Sequence, residues 1–395
     1  MHIFKHHRGS NFFIYFLLFI ITFFVYYVSS PRSTPYNYFV RLADAFINHR
    51  LYLLEKPKWL NELIPIGNKY YVAYPPMPAI LLIPFVAFFG QQFPQALFSI
   101  LLGSINPLIL FSLLKKIKIS FRTSLITTIF FGFGTNYWYL TTVGSAWYLA
   151  HVVALFFLLL AIRETLGKQR LIIIGIFLGA TYWSRSTAIF TLPFFLFYMK
   201  TKFLPINKKS ISNLMSLGFG LVFFIFLDGI YNCLRFGDFS PLSPYLKIPE
   251  SQRMESLKSG FMSFKNIPLH LDAIFLRLPH FQNSWPYIIP SLYSLAIWFT
   301  SPAIIFILKA KKSLLMLSSW LAIIPTFFVI SFWMVVGYSQ FGYRFAQDFM
   351  PFALILVALG IGQKPKFLAY LLISLSVIAN LWGVIMINFL NKWVM

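Results

Sequence analysis

About eleven apolar runs, most near 20 residues long, alternate with polar connections along the 395-residue chain. A run of that length crosses the hydrocarbon core of a bilayer as one helix. Because lipid offers no partner to backbone N–H and C=O groups, only helices and closed barrels span it. The fold class expected is therefore an all-α polytopic integral membrane protein with a range of 10–13 spans. Composition agrees, with 58% hydrophobic and only 11% charged residues, against about 25% charged in a soluble domain. An ordinary soluble enzyme, a disordered chain and a disulfide scaffold are excluded. The single cysteine, Cys233, has no intramolecular partner and leaves the redox compartment open.

The runs predict spans over 12–29, 93–114, 122–141, 146–162, 171–184, 187–199, 213–233, 287–308, 313–336, 349–362 and 367–390. Bulky Tyr26 and Tyr27 before Ser30-Pro31 make a poor cleavage site, so the first run reads as an uncleaved span. Residues 171–199 are expected to form a short hairpin turning near Arg185. Residues 77–90 are too short to span comfortably and read as a re-entrant or interfacial helix. The whole chain, 1–395, reads as one membrane domain without a separate soluble domain.

Charge orients this layout. Of 33 basic residues, 18 lie in short connections around 115–122, 163–170, 200–209, 309–312 and 364–366 and at Lys5 and Arg8. Only Glu164 opposes them there. The positive-inside rule makes these connections cytoplasmic, with the N-terminus inside and the C-terminus outside. Nine of the ten acids fall on the other side, mainly in a first external loop (30–75), a second (234–285) and the stretch 337–348. The net charge of +23 is thus spread between spans and gives no support to nucleic-acid binding. Membrane lipids are the partners it implies.

Residues 37–50 have helical periodicity. Asn37, Arg41, Asp44 and Asn48 fall on one stripe and Phe39, Leu42, Ala43 and Phe46 on the other. This predicts an amphipathic helix in the outer interface. Asp44 is either a carboxylate available for chemistry or one half of an Arg41–Asp44 pair at i,i+3. The loop then carries Glu62, a candidate second acid, and Lys69 within an aromatic and proline-rich stretch to Pro78. Further polar candidates lie near span ends: His151, Arg185, Arg344 and Asp348. Buried ionisable groups in membrane segments default to functional hypotheses. Asp228 should find a partner such as Arg235, and Arg344 and Asp348 are spaced to pair at i,i+4. No Walker A, HExxH, GxSxG or CxxC pattern occurs.

These segments, in this order, resemble the polytopic glycosyltransferase C superfamily, and within it bacterial relatives of the protein O-mannosyltransferase and lipid A aminoarabinose transferase groups. The resemblance is carried by Leu42-Ala43-Asp44-Ala45-Phe46, Asn61 to Pro78 and Phe131-Gly132-Phe133-Gly134-Thr135 with Trp147 and His151. Gly175 to Pro193, Asn232 to Asp238 and Gly342 to Pro351 complete it. It implies a polyprenyl-phosphate sugar donor and transfer on the external face of a bacterial-type plasma membrane. It further implies a carboxylate base in the first external loop, carried over here to Asp44. Many members have two adjacent acids where Ala43 and Ala45 flank this one.

The chemistry is coherent. An acceptor hydroxyl needs a base, whereas a lipid phosphate leaves readily and needs positive charge more than a general acid. The expectation is an inverting glycosyltransferase with Asp44 as base and Arg344, Arg185 and Arg41 on the donor phosphate. His151, Asp348 and Lys69 would contact sugar or acceptor, which is a lipid, glycan or protein. No protein metal site is expected, and a divalent metal requirement stays open. The main rival is a transporter or flippase of a lipid-linked sugar, although no internal repeat is visible. A structural subunit is a third reading.

Overall fold

The computed structural model describes residues 6–248 and 262–394, with side chains from residue 12 onward. Lys5, the side chain of Arg8 and residues 249–261 of the expected second external loop lie outside the described residues.

Five helices are long and apolar enough to cross a membrane: Gln95–Lys116, Ala146–Thr165, Lys208–Phe236, Leu314–Ser331 and Phe367–Phe389. Shorter apolar helices, among them Phe12–Val28, Phe121–Phe133 and Met350–Ile361, accompany them. The described strands form two small antiparallel hairpins, Leu63–Ile66 with Lys69–Val72 and His280–Phe281 with Ile288–Ile289. Burial separates centre from periphery. The Gln95–Lys116 and Ala146–Thr165 windows are each 72% buried, against 22% for Lys208–Phe236. The latter presents Met215, Phe219 and Phe226 outward, the surface that lipid would cover.

Several expected spans differ. The run 287–308 is not one helix: it holds the strand Ile288–Ile289, the short helix Ile297–Thr300 and a 3-10 stretch Pro302–Lys309. Pro290 and Pro302 bracket the break, each removing a helical N–H. The run 122–141 divides into Phe121–Phe133 and Tyr137–Val143. At the break, the Thr135 hydroxyl donates to the Phe131 carbonyl and accepts from the Tyr137 N–H. Buried irregular backbone survives where side chains satisfy it. The run 313–336 leaves its helix at Ser331.

Two other runs break where expected. Met77–Phe89 is a separate helix, and 171–199 divides into Leu171–Tyr182, a 3-10 turn Ser186–Thr191 and Leu192–Tyr198. Its first helix crosses Lys208–Phe236 backbone to backbone. A Cβ on Gly220 would lie 2.3 Å from the Ile176 nitrogen and 2.5 Å from the Gly175 carbonyl carbon. Small residues permit such close crossings in membranes.

The connections sort into two sets. Thr123 Oγ1 donates to the Gly362 carbonyl, Gln363 Nε2 donates to the Lys118 carbonyl, and Lys116 packs against Gly167. Three of the basic connections thus meet one another. In the other set, Arg235 Nη1 donates to the Val72 carbonyl, Met77 N–H to the Trp183 carbonyl, and Tyr139 Oη to the Ser339 carbonyl.

The expected helix over 37–50 is Tyr38–Ile47, and its apolar side is packed within the protein. Tyr38, Phe39, Val40, Leu42, Ala43 and Ala45 are all buried. Apolar residues on successive positions are covered because the helix Met77–Phe89 and the turn Gly90–Gln92 pack against it.

Candidate functional site

Asp348 closes the 3-10 turn Arg344–Asp348 that enters the helix Met350–Ile361. Its carboxylate is fully buried and accepts from His151 Nδ1 at 2.9 Å and Thr187 Oγ1 at 2.5 Å. Arg185 adds Nη2 at 3.0 Å and Nε at 3.3 Å. Burial alone would raise the Asp348 pKa, but Arg185 and His151 outweigh it and hold it well below the usual carboxylate range. The expected Arg344–Asp348 pair does not form. In a 3-10 turn the residues that eclipse are i and i+3, so an i+4 pair points apart.

Arg344 is buried, and its Nη1 donates to the Tyr338 carbonyl at 2.9 Å. Its Nε has no hydrogen-bond partner among the described residues. The guanidinium lies 5.6 Å from the Tyr148 ring centroid and 5.3 Å from that of Phe345. Phe345 also receives Arg185 at 5.2 Å and stacks on His270 at 6.3 Å. A single aromatic ring therefore lies against both arginines. Burial lowers the pKa of Arg344, and the Tyr148 hydroxyl beside it opposes that shift.

Glu62 enters from the first connection, just before the strand Leu63–Ile66. Trp147 Nε1 donates to its Oε2 at 3.0 Å, while its own N–H donates to Tyr38 Oη at 3.1 Å. Oε1 accepts no hydrogen bond among the described residues. Burial raises the Glu62 pKa, and the Trp147 bond and the Arg344 charge reduce the rise. A half-buried carboxylate, an under-bonded guanidinium and the Arg185–Asp348–His151 cluster are thus electrostatically joined.

The other candidates lie elsewhere. Asp44 lines a cleft with Arg41, Arg50, Glu55 and Gln91. It accepts from Gln91 Nε2 at 2.8 Å and stands 4.0 Å from Arg50. The expected Arg41–Asp44 pair is absent because Arg41 Nε donates to Asn37 one turn back, at 3.0 Å. Lys69 is exposed on the first hairpin, 4.7 Å over the Tyr52 ring, and touches none of the site groups. Asp228 bonds Tyr182 and Trp183 instead of Arg235. Arg235 is drawn to the Val72 carbonyl at 2.7 Å and to Asn232 Oδ1 at 2.7 Å, with Tyr231 stacked at 3.6 Å.

Sequence reasoning missed Tyr38, Thr187, His270, Tyr343 and Phe345. His270 Nδ1 meets Tyr343 Oη at 2.6 Å and its Nε2 meets the Trp333 carbonyl at 2.8 Å. Burial lowers the pKa of His270 to about 4. Local signals existed for three of these: Thr187 lies two residues from Arg185, and Tyr343 and Phe345 flank Arg344. Among the described residues, no group of three or more His, Cys, Asp or Glu could hold a metal ion. No family model and no characterised protein compared with the chain matches it.

Proposed function

We propose that the chain is an inverting membrane glycosyltransferase that takes a sugar from a polyprenyl-phosphate donor. The observation that carries this reading is Arg344, a buried guanidinium whose Nε has no partner among the described residues and whose charge reaches Glu62. A cation left short of partners favours an anionic ligand. A carboxylate with a raised pKa beside it suits a general base.

In the step we envisage, Glu62 takes the proton of an acceptor hydroxyl as that oxygen bonds to the sugar's C1. The C1–O bond to phosphate breaks, and its electron pair leaves on the phosphate oxygen, stabilised by Arg344. Arg185 is already committed to Asp348, so its part is to hold the Arg344–Asp348 turn and to add positive potential. His151 is oriented by Asp348 and faces the same ring of groups. Asp44 remains the rival base. The site would face outward from a bacterial-type plasma membrane, with the N-terminus cytoplasmic and the C-terminus external.

The test is transfer of labelled sugar in proteoliposomes supplied with polyprenyl-phosphate sugar and an envelope extract. Glu62→Gln is expected to abolish transfer while Asp44→Asn retains it; the reverse pattern moves the base to Asp44. Arg344→Ala should weaken donor binding by about 2–5 kcal/mol. Donor that crosses the bilayer without forming a new glycosidic bond would replace this reading with a flippase.

A further inference from the structure

The helix Tyr38–Ile47 places Arg41 and Asp44 in a cleft of about 260 Å³ that none of the arginines near Glu62 lines. Arg50, Leu54, Glu55 and Gln91 line it as well. The hydrogen-bonding capacity here is only partly used. Arg41 spends Nε on Asn37, and its Nη groups have no partner among the described residues. Arg50 reaches Asp44 only at 4.0 Å. Glu55 makes no ion pair among the described residues, and Asp44 Oδ1 accepts no hydrogen bond there.

Two guanidiniums and two carboxylates line one small space. A simple anion would meet Asp44 and Glu55, and a simple cation would meet Arg41 and Arg50, so neither gains cleanly. A ligand carrying both signs a few ångströms apart satisfies both pairs.

The surroundings say where such a ligand comes from. The helix Met77–Phe89 ends in Phe88 and Phe89, 86% and 66% exposed, two residues before Gln91. Leu54 in the lining is 62% exposed. Large exposed apolar groups beside a charged cleft are the pattern of a membrane–water boundary, with acyl chains on one side and headgroups on the other.

We infer that this cleft binds the headgroup of a zwitterionic aminophospholipid. Its phosphate lies on Arg41 and Arg50, its ammonium on Asp44 and Glu55, and its chains against Phe88 and Phe89. An ethanolamine headgroup fits better than a choline one, because its ammonium keeps three N–H donors for the two carboxylates. The test does not depend on glycosyl transfer, since lipid retention is measured without turnover.

The experiment is native mass spectrometry of the full chain, in detergent with equimolar dioleoyl phosphatidylethanolamine, phosphatidylcholine and phosphatidylglycerol. Phosphatidylethanolamine should be retained at least about tenfold over phosphatidylglycerol, the scale of one charge-assisted hydrogen bond. Asp44→Asn with Glu55→Gln should erase that preference, and Arg41→Gln with Arg50→Gln should reduce retention of both zwitterionic lipids. Glu55→Gln alone, at an exposed position, should lower the preference without a folding defect. Soluble phosphoethanolamine should compete weakly, because the chain contacts are missing. Equal retention of the three lipids, preference for phosphatidylglycerol, or displacement by methyl glucoside would overturn the proposal.

Discussion

The Asp348 cluster gives a prediction whose size follows from its geometry. Asp348→Asn keeps the shape of the side chain but removes the charge that neutralises Arg185. It also turns an amide N–H₂ toward donors that now face one another. Removing one partner of a buried ion pair costs about 3–5 kcal/mol. Arg185 keeps 22% side-chain exposure, so water recovers part of its solvation and the lower end, about 3 kcal/mol, is expected. Arg185→Gln strands Asp348 more gently, because His151 and Thr187 still donate to it; about 2 kcal/mol is expected. Were the two independent, the double variant would lose about 5 kcal/mol. With both charges gone it should instead lose about 3 kcal/mol, a coupling of about 2 kcal/mol. Unfolding in mixed micelles with increasing dodecyl sulfate, followed by the fluorescence of the ten tryptophans, measures all four corners of the cycle. A coupling below about 0.5 kcal/mol would refute the reasoning, since that is ordinary additivity for sites that do not interact.

Gly220→Leu should destabilise by at least about 1–3 kcal/mol, because its Cβ meets backbone that cannot yield. Gly218→Leu on the same helix, with nothing within 4 Å, should stay within about 0.5 kcal/mol in the same unfolding assay. His270 is neutral in the fold at pH 7. Its folded pKa of about 4 lies below the unfolded 6.5, so its stabilising effect is complete above about pH 6.5. That effect is lost as pH falls toward 4, by about 3 kcal/mol. His270→Gln should flatten this part of the stability profile, whereas unchanged acid sensitivity would exclude His270 as its source. For Glu62, the rate of transfer should rise with pH through a pKa above the usual glutamate range. Trp147→Phe removes a bond that lowers that pKa, so the acid limb should move to higher pH in a pH–rate profile.

Much of the layout was legible because lipid imposes it. Hydropathy located the helices, and basic residues marked which connections belong together: Lys118 is contacted by Gln363, and Gly167 by Lys116. Hydropathy did not reveal the breaks at 134–136 and 290–302. It reports transfer free energy and carries nothing about hydrogen bonds, such as those of Thr135, that allow a buried turn to persist. The site was legible only as parts. His151, Arg185 and Asp348 each stood out as costly charged or titratable groups, but the contacts joining them cross 197 and 163 residues of chain. Pairing by spacing failed three times because it ignored competing partners and, at Arg344–Asp348, the 3-10 geometry: Arg41 is taken by Asn37, Asp228 by Tyr182 and Trp183, and Asp348 by Arg185.

The arrangement of rare acids separates the two charged regions by what each still lacks. Around Phe345, Asp348 is saturated by His151, Arg185 and Thr187, which leaves Arg344 with an Nε–H that has no partner among the described residues and with the Tyr148 hydroxyl and the Glu62 carboxylate to balance its charge. That region is short of an anion. Around Asp44, two carboxylates oppose two arginines in one cleft, so charge is balanced while hydrogen bonds remain unmade. That region is short of a ligand with both signs. If one site served both purposes, adding phosphate to it would disturb the other charge balance. Two sites avoid the conflict. A lipid held at the Asp44 cleft would press on the helix Tyr38–Ile47, whose first residue, Tyr38, accepts the Glu62 N–H. Lipid composition would then bear on the position of Glu62 through one short helix. The pH–rate profile should therefore differ between vesicles of phosphatidylethanolamine and of phosphatidylglycerol, and Tyr38→Phe should make the two profiles converge.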